Sequence, residues 1–170
     1  MRRLVPILVL ALAGPAGAQA LRNHNADAPV DVEADRIEVQ DRADRAIFAG
    51  NVRVRQAGLA LSAQRLTVAY TGGAGSGPQI ERLDAAGGVT VTSASETARG
   101  DVAIYDLNRR LITMVGGVTL NQGGNTIRGG RLLIDLNSGR SVIDGAATGG
   151  AGVSGRGGRV SGRFTVPQRR

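Results

Sequence analysis

His24 is the single histidine of a chain that has no cysteine and no lysine, so most of the side chains that do covalent or metal chemistry are absent. It stands in the polar stretch RNHNAD, where a lone imidazole reads as a solvated side chain. Seven acids lie between Asp27 and Asp44, but the run lacks the central Gly and the closing Glu of a calcium loop. The stretch GAGSG at 73–77 lacks the spacing of a nucleophile elbow. The longer GGAGSGP carries no Asp of the calcium-binding glycine repeats. Without lysine no phosphate-binding P-loop can be built. These absences point to a binding module rather than an enzyme.

What remains is export and architecture. Arg2 and Arg3 precede an apolar run, Leu4 to Leu12, broken only by Pro6. That run is short for a membrane span. Ala16-Gly17-Ala18 and Ala18-Gln19-Ala20 both fit small-x-small cleavage, so residues 1–20 read as a signal peptide. Residues 21–29 then form a leader. The absence of cysteine leaves the exported chain without disulfides, so a packed apolar core must hold it. The formal net charge of +7 is unevenly placed. From Leu21 to Asp144 there are 14 arginines and 14 acids, whereas Arg156, Arg159, Arg163, Arg169 and Arg170 follow with no acid among them. A basic tail suits nucleic acid, but export and the shortage of stacking aromatics exclude that partner.

The body is repetitive. GGVTV at 87–91 returns as GGVTL at 116–120, and Gly50, Gly87, Gly116 and Gly145 are spaced 37, 29 and 29. Asp35, Gln64, Asp101 and Gly130 are spaced 29, 37 and 29. The one long interval in each series contains the loop TGGAGSGP at 71–78, so the underlying period is 29. Strands start at ADRIEV, AQRLTV, GDVAIY and GGRLLI. Polar turns such as DRADR, DLNRR and DLNSGR follow, and a second strand then runs through the glycine.

Apolar residues alternate with period two, the mark of strands with one buried face. Ala46, Phe48, Val52 and Val54 share a parity, as do Leu83, Ala85, Val89 and Val91, and Ile112, Met114, Val118 and Leu120. The glycine falls on the inward parity in each copy, and its simplest reading is a bend in a tightly twisted sheet. Parity flips at 63–65, 100–102 and 129–131, where a bulge would let one long strand serve two facing sheets. The expected fold is all-β: an open, twisted jelly roll of stacked antiparallel strands over 30–145. Residues 146–170 form a Gly/Arg-rich segment with room for a last edge strand near Arg159–Val166.

The ordered run ARGD…YD…GGVTLNQGGNTIRG, with ADRIEVQDRADRAIFAGNVRVRQAGLALSAQRLTVAY before it, resembles the OstA-like family of lipopolysaccharide-transport proteins. The resemblance implies a periplasmic carrier without cofactor whose interior shields lipid A acyl chains. It also implies head-to-tail strand addition to other copies, and to LptC-like inner-membrane and LptD-like outer-membrane partners. The residues then expected to line the lipid path are Ile37, Val39, Phe48, Val52, Val54, Leu61, Leu66, Val68, Val89, Val91, Tyr105, Ile112, Met114, Val118, Leu120, Ile127, Leu132 and Ile134. Competing readings are an anchored LptC-like component, the N-terminal domain of an LptD-like one, and a structural or adhesive β-repeat protein with a dry core.

The two small-x-small sites generate a direct check. N-terminal sequencing of the exported protein should begin at Gln19 or Leu21; a product beginning at Met1 would refute cleavage.

Overall fold

The computed structural model describes residues 24–72, 77–145 and 159–164. The expected signal peptide, residues 73–76 of the loop at 71–78 and most of the Gly/Arg-rich tail lie outside them. Ten strands form: β1 (Asp31–Glu33), β2 (Arg36–Gln40), β3 (Arg45–Gln56), β4 (Leu59–Thr71), β5 (Gln79–Thr92), β6 (Glu96–Asp106), β7 (Leu111–Gln122), β8 (Asn125–Asp135), β9 (Arg140–Asp144) and β10 (Ser161–Arg163). Each pairs antiparallel with its neighbour in chain order from β3 to β8. The hairpin turns obey local chemistry. Ala57-Gly58 and Gly123-Gly124 each take positive φ at both residues, the primed two-residue turn that suits twisted strands. DRADR closes through a 3-10 turn at Asp41–Ala43.

The recurring glycine does more than bend the sheet. In β3, β5 and β7 the pairing slips between Ala49 and Val52, Ala86 and Val89, and Val115 and Val118. The slipped pairs Gly50-Asn51, Gly87-Gly88 and Gly116-Gly117 all have positive φ. A β-carbon on Gly87 would stand 2.7 Å from Gln64 Cβ, one on Gly50 would stand 3.0 Å from Asp35 Cβ, and one on Gly116 would run into the Asp101 carboxyl. These facing residues are the other 29-residue series. The two series are therefore one device: a bulge in one strand, and a side chain from the next that lies over the bare glycine.

The bulge divides each long strand into two leaves. Leaf A holds β2, residues 45–49, 65–71, 79–86, 102–106, 111–115 and 131–135, and β9. Leaf B holds β1, residues 52–56, 59–63, 89–92, 96–100, 118–122 and 125–129, and β10. A single hydrogen bond shows that the leaves face each other: the Tyr105 hydroxyl in leaf A donates to Gln56 Oε1 in leaf B at 2.9 Å. In a flat sheet β3 and β6 would lie three spacings, roughly 14 Å, apart. Leu66, Leu83, Ile112, Met114 and Leu132 of leaf A meet Val52, Val89 and Val118 of leaf B in one core, all less than 2% exposed. The sheet does not close. β1 and β2 share the free side of β3, and β9 and β10 share that of β8. The last edge is thus composite: β10 pairs with Thr126–Arg128, and β9 with Arg131–Asp135.

Glycine requirements at two sites should differ measurably. Gly58→Ala meets nothing within 4 Å and carries only the strain of its φ of +86°, a cost of about 1 kcal/mol. Gly87→Ala adds the collision with Gln64 and should cost about 3 kcal/mol. Urea denaturation midpoints of the two variants check the order; equal losses would remove close approach as the reason for the glycine.

Candidate functional site

Among the described residues the inward faces of both leaves are mainly apolar, and the stack is closed in the middle and open at both ends. Beside β1 and β2 lies a cleft of about 650 Å³, walled mainly by Val30, Val32, Val39, Phe48, Val68 and Ile80. At the β9–β10 end, a cleft of about 450 Å³ is walled by Leu120, Ile127, Ile143, Val160 and Phe164, with Glu96, Gln122 and Ser141 as polar floor. The large apolar residues exposed among the described residues, Ile37, Val39, Val160 and Phe164, stand in these end regions. Such residues are uncovered because an end copy of a repeat has no next copy to pack on it.

The expected lining residues divide accordingly. Val52, Val54, Leu61, Leu66, Val68, Val89, Val91, Tyr105, Ile112, Met114, Val118, Leu120, Leu132 and Ile134 are buried. Phe48 and Ile127 are half-buried at opposite ends. Ile37 and Val39 pair with Phe48 and Ala46 and so share the inward face, yet both are 56% exposed, because β2 is an edge strand with none of the described residues beyond it. Inward parity therefore does not mean enclosure. Val30, Val32, Ile80, Ile143, Val160 and Phe164 join the clefts without having been expected there. Val30 and Val32 carried a signal, since they alternate and then change parity before Ile37 and Val39, as Leu59 and Leu61 do before Leu66 and Val68. Val160 and Phe164 sit in a segment whose glycines blur any period.

A polar clasp closes leaf on leaf. Gln56 is the buried polar residue of the described chain. Its Nε2 donates to the carbonyls of Ala26 and Ala28, each at 2.9 Å, and its Oε1 receives the Tyr105 hydroxyl. His24 Nε2 lies 3.2 Å from the same Oε1. The expectation of a solvated His24 is corrected: the imidazole is half-buried, because the leader folds back onto the end of β3. Arg110 holds the leader from the other leaf through both carboxylate oxygens of Asp27, at 2.9 and 3.0 Å. Burial pushes the Tyr105 hydroxyl up to about 12, with Arg110 pulling it down and Asp27 adding to the rise. Burial also raises Glu96, against the lowering by its hydrogen bond from Gln122. Among the described residues no three His, Cys, Asp or Glu side chains converge to hold a metal.

The described residues thus form an open antiparallel jelly roll with an apolar interior that is uncovered at both ends. The chain belongs to the LptA/LptD N-terminal-domain family of lipopolysaccharide-transport proteins, whose model matches residues 31–140, in agreement with the OstA-like resemblance. It is 33% identical over 115 residues to an uncharacterised protein of Rhizobium meliloti (strain 1021), a match spanning 65% of this chain and 61% of that one. The crystal structure of LptH from Pseudomonas aeruginosa, described as the LptA-homologous periplasmic component of the conserved lipopolysaccharide transport device, superposes with a TM-score of 0.72 at 20% identity. That superposition covers 84% of this chain and 99% of LptH, and establishes the fold.

The buried tyrosine sets an alkaline limit. Its ordinary value is 10.0 and its folded value is about 12, so the unfolded chain loses its proton first. Stability should be whole below pH 10 and fall by about 2 kcal/mol as pH rises toward 12. Tyr105→Phe should remove that component from denaturation midpoints measured across the range. With no lysine in the chain, few other groups titrate there.

Proposed function

We propose that this chain is a periplasmic carrier that shields the acyl chains of lipopolysaccharide and hands them along an end-to-end strand assembly. The observation that carries this reading is the largely apolar inward face that comes open at both ends. A saturated acyl chain of about a dozen methylenes costs roughly 10 kcal/mol to hold in water, at ~0.8 kcal/mol each. A covered apolar path removes that cost. The closed middle exchanges one apolar contact for another when the leaves part to admit lipid, which is a small free-energy change beside exposure to water.

The ends also support assembly. β1–β2 and β9–β10 are different edges with free backbone groups, so joining them head to tail is heterologous and does not close. Asp31, Glu33 and Glu38 lie on the first edge and Arg140, Arg159 and Arg163 at the last, which favours that pairing electrostatically. LptC-like and LptD-like proteins are the partners this reading implies at the two membranes. The signal-type N-terminus supports the periplasm. No helix among the described residues is long and apolar enough to cross a membrane.

One observation favours a second reading, a structural β-repeat protein with a dry core: the central side chains are wholly buried. Displacement of fluorescent lipid A separates the two. Ile127→Asp and Phe48→Asp place a carboxylate in an open cleft and should lower affinity at least about tenfold with little change in melting. Val118→Asp puts the charge in the closed middle and should cost about 4 kcal/mol or more, unfolding the chain. Unchanged binding in folded Ile127→Asp and Phe48→Asp chains would leave the dry-core reading.

A further inference from the structure

The two outer faces of the folded sheet carry different chemistry. On leaf A the outward arginines are interspersed with acids, and three of them are ion-paired: Arg36 lies 3.9 Å from Glu38, Arg82 2.8 Å from Asp84, and Arg131 3.0 Å from Asp144. On leaf B the register aligns two outward rows. One passes through Arg53 on β3, Arg99 on β6 and Arg128 on β8. The other starts at Arg55 on β3 and ends at Arg163 on β10. Every other position of these rows from β3 to β10 is Ser, Thr, Asn or Ala. The acids Glu33 and Asp31 stand only at the β1 end, where Glu33 comes within 4.0 Å of Arg55. Arg53, Arg99, Arg128 and Arg163 are exposed, and none has an ion pair among the described residues.

Guanidinium groups set among hydroxyls are the chemistry of phosphate recognition, because both donate hydrogen bonds and the fork matches two oxygens at once. A shallow dent of about 130 Å³ lies between Arg53, Arg55, Ser62, Thr90 and Thr92. Its volume is that of roughly four waters, enough for one phosphate with some solvent. The rows are too broad for one small anion. Arg53 and Arg128 are five strand spacings apart, about 24 Å at ~4.8 Å each. Only an extended array of anions meets all of them. The rows hold no aromatic side chain on which a nucleobase would stack.

We propose that the outer face of leaf B docks on an anionic lipid surface, with its arginines against lipid phosphates. The strands cross this face, so docking lays the stack axis along the leaflet. The posture therefore belongs to a single chain beside a membrane and is an alternative to the end-to-end assembly. It rests on charge placement alone and is independent of what the interior carries.

Co-sedimentation of the exported chain with phosphatidylglycerol–phosphatidylcholine vesicles, against phosphatidylcholine alone, tests it. The wild type should bind the anionic vesicles selectively and less so at high salt. The triple variant Arg53→Gln, Arg99→Gln, Arg128→Gln should lose about a hundredfold in partitioning, near fivefold per arginine. The charge-matched variant Arg156→Gln, Arg169→Gln, Arg170→Gln should lose less than about tenfold. Both variants should melt as the wild type does, since the exchanged residues are exposed or lie in the tail. Lipid A displacement by the first variant should be unchanged. Equal losses in the two triple variants, no preference for anionic vesicles, or loss of lipid A displacement together with vesicle binding would each overturn the assignment. Tighter binding to soluble polyglutamate or DNA than to vesicles would replace the leaflet with a soluble polyanion and overturn it too.

Discussion

The mid-strand bulge is the constraint on which the rest of this structure depends. Each long odd-numbered strand turns through two residues of positive φ at Gly50-Asn51, Gly87-Gly88 and Gly116-Gly117. The bend between β1 and β2 lays Asp35, and the neighbouring strands β4 and β6 lay Gln64 and Asp101, across the bare glycine. The bulged strands keep one apolar parity through the extra residue, while their even-numbered partners change parity at 63–65, 100–102 and 129–131, so each strand directs its apolar side inward on both sides of the bend. Without that change, one half of every long even-numbered strand would face its apolar residues to water. With it, a single sheet folds on itself and makes a two-leaved core with no crossover connection.

That construction explains why the interior is closed in the middle and open at the ends. A middle copy has neighbours on both sides and contributes to a core in which Leu66, Met114 and Leu132 have no measurable exposure. An end copy has one neighbour, and Ile37, Val39, Val160 and Phe164 stay in solvent. Exposed apolar side chains on unpaired edges are costly in an isolated chain and invite association. The family is one of lipopolysaccharide-transport proteins. The outer faces escape the inward constraint, and there the two leaves diverge, one with arginines interspersed with acids and the other with arginine and hydroxyl rows.

The clasp around Gln56 performs a different task from the core. Apolar packing is non-directional and tolerates small shifts of leaf against leaf. Four polar contacts that converge on one buried amide do not, since each lost partner leaves a buried group unsatisfied. Gln56, Tyr105 and the leader therefore fix the relative position of the leaves at a place where the ladder hydrogen bonds cannot. The Asp27–Arg110 pair, exposed on the Asp27 side, adds registry rather than much free energy.

The sequence by itself determined the strands, their period and their bends. Alternation such as Val89-Thr90-Val91 is local, and a period of 29 with two interleaved series repeats the same local information. Both survive without knowledge of contacts, and the ordered run ARGD…YD…GGVTLNQGGNTIRG, with the repeat before it, indicated the family. Only the tertiary structure decided which inward residues are enclosed, because enclosure depends on whether another strand lies beyond. Val118 and Ile37 have the same parity signal and opposite fates. It also decided the role of Gly87, whose partner Gln64 is 23 positions away, and of His24, whose partner Gln56 is 32 away. The pairing of Arg53, Arg99 and Arg128 into one row was likewise hidden, since register sets it and spacing along the chain does not reveal it.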